Sequence, residues 1–288
     1  MPARKGSSSK KSSSKKAGAG AGKAVAAQVI VPRKIRRFGW TPDLPDHRDK
    51  VYSAPFVHAA QLPPGVDLRS GCPPVYDQGQ LGSCTGNAIA GAIEFDQMKQ
   101  KLADVFVPSR LFIYYNERVM EGTVGQDAGA MIRDGVKSVN KVGAPHEKLW
   151  PYSDAIPGPF TKKPSAAAYN DALKHQVMLY QRLPRAELQL KGCLASGYPF
   201  VFGISVYESF ESAAATKTGD IPVPKPKEAL LGGHAILAVG YDDNKRRFIF
   251  RNSWGTGWGT KGYGTIPYEY VLDGNLADDF WTVRTVEG

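Results

Sequence analysis

The chain has 288 residues, 42% of them apolar and 10% aromatic, enough to bury the core of one large domain or two small ones, so it reads as globular. No apolar run approaches the roughly 18 residues of a membrane span, and no short apolar block near the N-terminus resembles a secretory signal. Its three cysteines, Cys72, Cys84 and Cys193, have no metal-ligand spacing and an odd count, which argues against a disulfide scaffold and suits a reducing compartment. A cytoplasmic location is the expectation, with export by a non-Sec route left open.

The formal charge of +10 is concentrated at one end. Arg4, Lys5, Lys10, Lys11, Lys15, Lys16, Lys23, Arg33, Lys34, Arg36 and Arg37 are eleven cations unaccompanied by any acid, and removing them from 37 basic residues leaves 26 against 27 acidic ones. Residues 1–34 are therefore expected to be a disordered basic tail of Ser, Lys, Gly and Ala, unable to bury enough apolar surface to offset the entropy of ordering. Weak contact with anionic surfaces fits such a tail. Specific nucleic-acid binding is not expected, because no aromatics are interleaved for stacking.

Residues 35–61 form a different segment, with Pro42, Pro45 and Pro55 among the anchors Phe38, Trp40, Leu44, Tyr52 and Phe56. That proline density favours extended chain over helix. The segment is read either as an arm docked on a folded surface or as one that occludes a ligand cleft.

The folded domain is placed at 62–288. Apolar residues recur at helical spacing over 84–101, 109–120 and 130–142, and more weakly over 165–176. After Leu183 the pattern shortens and alternates over 200–206, 234–241, 247–251 and 263–266, which reads as strands. Helices first and antiparallel strands second predict an α+β fold of two lobes, with a ligand cleft between them.

Three segments carry chemistry. Asp77-Gln-Gly-Gln-Leu-Gly-Ser-Cys84 sets a thiol at a helix start, where the helix dipole favours a thiolate. A cysteine there is also a common packing residue. Gly232-Gly-His234-Ala-Ile-Leu opens an apolar strand on a histidine, and Arg251-Asn-Ser-Trp-Gly-Thr-Gly-Trp-Gly259 offers an amide oxygen able to hold an imidazole N–H under a tryptophan cover. A base held by a third group activates a nucleophile, although a Gly, Asn and Ser run is also an ordinary turn.

Taken together, Gln-Gly-x-x-Gly-Ser-Cys, Gly-His-Ala-x-x-x-Val-Gly-Tyr and Arg-Asn-Ser-Trp-Gly-x-x-Trp-Gly resemble the active-site signatures of papain-like (C1) cysteine peptidases. Val66-Asp67-Leu68-Arg69, Trp150-Pro151-Tyr152 and Gly262-Tyr263-Gly264 extend the likeness over Leu62 to Val286. The resemblance implies a two-lobed papain-like fold, a helical lobe followed by an antiparallel β lobe. It implies Cys84 as nucleophile paired with a His234 imidazolium, Asn252 as orienter and Gln78 as oxyanion donor. Peptide or protein substrates would bind along Gly129, Gly232, Gly233, Ala235 and Trp254, with no cofactor or metal. The subsite for the side chain two positions before the scissile bond would have its floor near 276–279, where an acid would favour a basic side chain. Leu81 and Thr85 replace a cysteine and a tryptophan common in the family, which points to a bacterial-type branch without the usual disulfides. The same machinery also serves acyltransferases and deamidases, and a non-cleaving binding module on this fold is the remaining alternative.

Overall fold

The computed structural model describes residues 38–55 and 62–287. Its spine is an antiparallel sheet in the order β2-β7-β3-β4-β5-β6, with β1 paired to β4. The strands are β1 (Gly65–Asp67), β2 (Val177–Arg182), β3 (Phe200–Tyr207), β4 (Leu230–Asp242), β5 (Arg247–Arg251), β6 (Tyr263–Pro267) and β7 (Ala277–Val286). The helices among the described residues are α1 (Cys84–Gln100), α2 (Arg110–Glu121), α3 (Ile132–Val142), α4 (Ala166–Ala172), α5 (Glu187–Ala195), α6 (Ala213–Thr218) and α7 (Tyr268–Leu272).

Alternation along the central strands explains why helices cover both faces. Phe200, Phe202, Ile204 and Val206 of β3, with Ile236 and Ala238 of β4, point into one core, which α5 and α7 close with Leu190, Leu194, Tyr268 and Tyr270. Val201, Ala235, Leu237 and Val239 point into the other, where Ala88, Ile89, Ala92 and Ile93 of α1 pack. Both faces being buried, β3 and β4 read as apolar runs. A helix wedged between the sheet and two other helices has no solvent face: α1 is buried from Cys84 through Gln97, polar Asn87, Glu94 and Asp96 included.

The expected helices and strands are present, with shifted ends. Ser109 and Ser165 cap α2 and α4 through their hydroxyls, and α4 stops at Ala172, short of 176. One expectation needs correction: His234 does not open its strand. β4 begins at Leu230, and His234 lies within it, opposite Ile204.

Residues 38–55 run along this body as a strap. Trp40 bridges Ala130, and Val51 bridges Arg182 of β2. Tyr52 and Ala54 enter the core. Between these anchors Asp49 makes a buried ion pair with Arg133 of α3 at 2.6 Å, and Asp46 reaches Lys137 at 3.2 Å. The basic tail 1–34 lies outside the described residues, as do 35–37 and 56–61 of the Pro-rich segment. Among the described residues no helix is long and apolar enough to cross a membrane. Cys72, Cys84 and Cys193 are all free thiols.

Candidate active site

Two loops lock together to build the site. The N–H of Gln78 donates to Ser253 O at 2.8 Å, the N–H of Gly255 donates to Tyr76 O at 2.9 Å, and Asp77 bridges Trp254. This brings the chain entering α1 against the turn that follows β5. The fully buried Gln78 amide is fixed at both ends: its oxygen accepts from Ser253 Oγ at 2.6 Å, and its Nε2 donates to Leu81 O at 2.8 Å, using one of two amide hydrogens. Beyond it, the N–H of Gly82 is held by the Asp127 carboxylate at 3.1 Å. Tyr114 Oη donates to Asp127 at 2.5 Å and accepts from the N–H of Gly129 at 3.1 Å. One tyrosine and one aspartate thus position both walls of the groove.

Cys84 is the first residue of α1 and is fully buried. Its sulfur faces the backbone N–H groups of Ala235, Gly39 and Thr85. Ala235 follows His234, so the β4 register that buries Ala235 against α1 also brings the histidine to the thiol's end of the helix. His234 Nε2 lies 2.9 Å from Asn252 Oδ1, which also accepts from the Ser253 N–H at 2.8 Å. An amide oxygen accepts only, so Nε2 carries the hydrogen and Nδ1 is the ring nitrogen with a lone pair. The Trp254 ring stacks on the imidazole at 4.6 Å and is braced edge-on by Phe210 and Trp258. The His234–Asn252 hydrogen bond is therefore shielded from water.

The groove over this cluster holds Phe38 to Thr41. Trp40 N–H donates to Gly233 O at 2.9 Å, Ala130 N–H to Gly39 O at 2.7 Å, and Thr41 N–H to Ala130 O at 3.1 Å. The five residues expected to bind substrate are all part of this neighbourhood. A Cβ on Gly129 would lie 2.3 Å from Gly39 O, one on Gly232 2.7 Å from Phe38 Cβ, and one on Gly233 2.4 Å from Trp40 O, while Ala235 and Trp254 sit at the sulfur and the imidazole. The Trp40 indole lies against Gly203 and Gly233 and donates from Nε1 to Asp279 Oδ2 at 3.1 Å. Asp279 falls in the 276–279 stretch expected to floor a subsite, and here it meets the strap's own indole.

Electrostatics in this covered state differ from a helix-start thiolate. Burial pushes the Cys84 thiol up to about 12, outweighing the three N–H groups that favour its charge. Glu117, buried behind α1 and accepting from Thr85 Oγ1 at 2.7 Å, is itself pushed up to about 8 by burial. Asp43, next to the Trp40 anchor, is raised to about 7 by burial and by the Asp279 carboxylate, and Asp279 is raised chiefly by burial. Sequence reasoning missed the Tyr114–Asp127 brace, Glu117 and Asp43. The available signals were thin: Glu117 falls on the buried face of α2, and Asp43 sits in a Trp-Thr-Pro-Asp run.

Comparison with known proteins identifies the family. Residues 62–276 match the model of the papain family cysteine proteases. An uncharacterized peptidase C1-like protein of Acanthamoeba polyphaga mimivirus is 42% identical over 276 residues, covering 87% of this chain and 88% of its own length. Cysteine proteinase 2 of Entamoeba histolytica is 28% identical over 226 residues, covering 75% of this chain and 65% of its own. Among solved structures, xylellain, a cysteine protease from Xylella fastidiosa, superposes with a TM-score of 0.83 at 47% identity, over 89% of this chain and 99% of its own. The chain belongs to the papain family of cysteine proteases.

Proposed function

We propose that this protease is a cysteine-type endopeptidase held latent by its own strap. Cys84 acts as nucleophile, His234 as base and then acid, Asn252 as orienter and Gln78 as oxyanion donor. The observation that carries the reading is the fixed imidazole, its Nε2–H pinned by Asn252 under Trp254 beside the strand whose Ala235 N–H faces the thiol at the start of α1. Proton transfer from Cys84 to His234 would give the thiolate–imidazolium pair, and the thiolate would attack a peptide carbonyl carbon. The second amide hydrogen of Gln78 and the Cys84 N–H would meet the developing oxyanion, a contribution of about 3 kcal/mol per donor. His234 would protonate the leaving amine, and water would then release the acyl group from sulfur.

Latency follows from what the strap offers. It presents the Gly39 N–H to the sulfur, and the Gly39 carbonyl is taken up by the Ala130 N–H at 2.7 Å, which supports a strap that fills the groove without being cut. Trp40 marks the side-chain subsite, and Asp279 beneath it favours a side chain bearing an N–H donor. Labelling with an epoxide thiol inhibitor, followed by mass mapping, tests the assignment. Modification is expected at Cys84 and not at Cys72 or Cys193, with Cys84→Ala inactive on a fluorogenic peptide; labelling elsewhere, or an active alanine variant, overturns it. For latency, deleting residues 1–60 is expected to raise activity, and unchanged hydrolysis would sink that part.

A further inference from the structure

On the helical lobe, three segments that share no residue with the cluster around Cys84 bring together Asp104, His146 and His175. One ligand atom from each lies within 4.8 Å of the others. The segments are tied by backbone pairing: Pro108 bridges His146, Glu147 N–H donates to Val107 O at 2.9 Å, and Ala144 N–H to His175 O at 3.3 Å. The rings are held by packing as well. Phe106 is buried, stacks on His146 at 3.9 Å and meets His175 edge-on at 4.6 Å, while the two imidazoles stand 5.3 Å apart.

The hydrogen bonds sort the nitrogens. Asp171 Oδ2 accepts from the backbone N–H of His146 at 3.0 Å and lies 2.8 Å from its Nδ1. That carboxylate keeps Nδ1 protonated and turns Nε2 outward, 3.0 Å from Asp104 Oδ2. The other Asp171 oxygen is 4.0 Å from His175 Nε2. A carboxylate behind a histidine, fixing its tautomer so that the opposite nitrogen can ligate, is the usual outer shell of a zinc site. With two neutral imidazoles the group carries two negative charges, matching a divalent cation. Tetrahedral zinc with ligands at about 2.1 Å needs ligand atoms roughly 3.4 Å apart. The existing Nε2 to Oδ2 separation is close to that, and Asp104 is exposed on a connecting loop that can close the remainder.

We propose that Asp104, His146 and His175 form a binding site for a zinc-type divalent transition metal, with Asp171 as the supporting carboxylate and water in the fourth position. Metal there would clamp the α1–α2 connection, the chain after α3 and the end of α4 together. The test uses the full chain carrying Cys84→Ser, which removes the proposed catalytic thiol as a competing metal ligand, after chelator treatment. Zinc chloride is titrated calorimetrically, and cobalt(II) is followed by its visible absorption. One zinc per chain is expected, with tetrahedral cobalt bands. Asp104→Asn and His175→Asn should each weaken zinc at least tenfold, and Asp171→Asn by about 10- to 100-fold. Asp104 is exposed, so its variant tests the site without disturbing the fold, checked by circular dichroism. Absence of stoichiometric binding, or equal affinity in Asp104→Asn and the parent, overturns the proposal.

Discussion

Adding one methyl group to the strap tests latency more sharply than truncation, because deletion also removes Tyr52 and Ala54 from the core. A Cβ on Gly39 would fall 1.7 Å from Gly82 O and 2.3 Å from Gly82 C. An ordinary carbon–oxygen contact needs roughly 3.3 Å. The wall cannot yield, since Gly82 is pinned by Asp127 and leads directly into the nucleophile's helix. In Gly39→Ala the strap must therefore lift by more than an ångström, and backbone bonds at 2.9, 2.7 and 3.1 Å do not survive that displacement. Three hydrogen bonds at about 1 kcal/mol each make about 3 kcal/mol. At 1.4 kcal/mol per decade the closed-to-open ratio falls about 100-fold. If the strap competes with substrate for the groove, as proposed, kcat/KM on a fluorogenic peptide should rise by up to that factor, levelling off once the open form dominates. Equal kcat/KM in Gly39→Ala and parent, with the fold intact by circular dichroism, would refute the claim that these contacts close the groove.

Removing the proposed oxyanion donor in Gln78→Ala should lower kcat by about 10²- to 10³-fold in steady-state assays while the protein stays folded; a loss below fivefold removes Gln78 from the mechanism. In the Gly39→Ala background, Asp279→Asn should reduce the preference for Arg over Leu two residues before the scissile bond about tenfold in kcat/KM, and an unchanged ratio excludes Asp279 as the subsite floor. Asp43 holds its proton up to about 7 when covered, against Asp279 and opposed by the Arg133 N–H and guanidinium and the Trp281 N–H, whereas a carboxyl freed into water ionises near about 4. The covered state thus keeps a proton that the open state sheds, so strap opening should become easier as pH rises from about 4 to 7 and flatten above it, read by hydrogen exchange of residues 38–43 corrected for intrinsic rate; Asp43→Asn should abolish the slope. Both carboxyl oxygens of Asp96 lack a hydrogen-bond partner among the described residues and burial raises it to about 8, so its contribution to stability declines as pH climbs toward that value. Asp96→Asn should raise Tm at pH 8 by about 2–4 °C, for about 1 kcal/mol of relieved desolvation, with a smaller gain at pH 5.

The parts of the fold legible in the sequence were those where local pattern and tertiary role agree. β5 is a short Phe-Ile-Phe run between arginines and was placed to the residue, and the stretches predicted to start at 109 and 165 begin on the serines that cap α2 and α4. β2, α5 and β7 were missed for identifiable reasons. β2 has Met178 and Leu179 in succession and exposed, and its pairing with β7 is irregular between Val177 and Tyr180. β7 opens Ala-Asp-Asp, with Asp279 at φ +58°, a conformation rare for a non-glycine residue and unreadable as strand from sequence. It is nonetheless the position that receives the Trp40 indole. His234 was misplaced within β4 because Gly232 and Gly233 look like a strand boundary. They are strand residues kept small by Phe38 and Trp40 lying against them.

The candidate cluster was legible because Cys84, His234, Asn252 and Gln78 sit in motifs whose glycines and polar neighbours are required locally. The ionisation state of the thiol was not, because it depends on a segment more than forty residues upstream in sequence. A helix start alone argues for a thiolate; burial of the sulfur in the covered site pushes the thiol the other way, although the Gly39 N–H by itself favours the charge. On the proposed reading, the covering that denies substrate the groove also buries the proposed nucleophile, so latency would have two components with different signatures. Uncovering by Gly39→Ala should raise the peptide turnover set by access. It should also move the pH midpoint of Cys84 alkylation by iodoacetamide downward from about 12, because water and the His234 imidazolium then compensate the charge. A variant that gained turnover with no change in that midpoint would show that the strap blocks access alone and leaves the thiol's ionisation to the helix and the histidine.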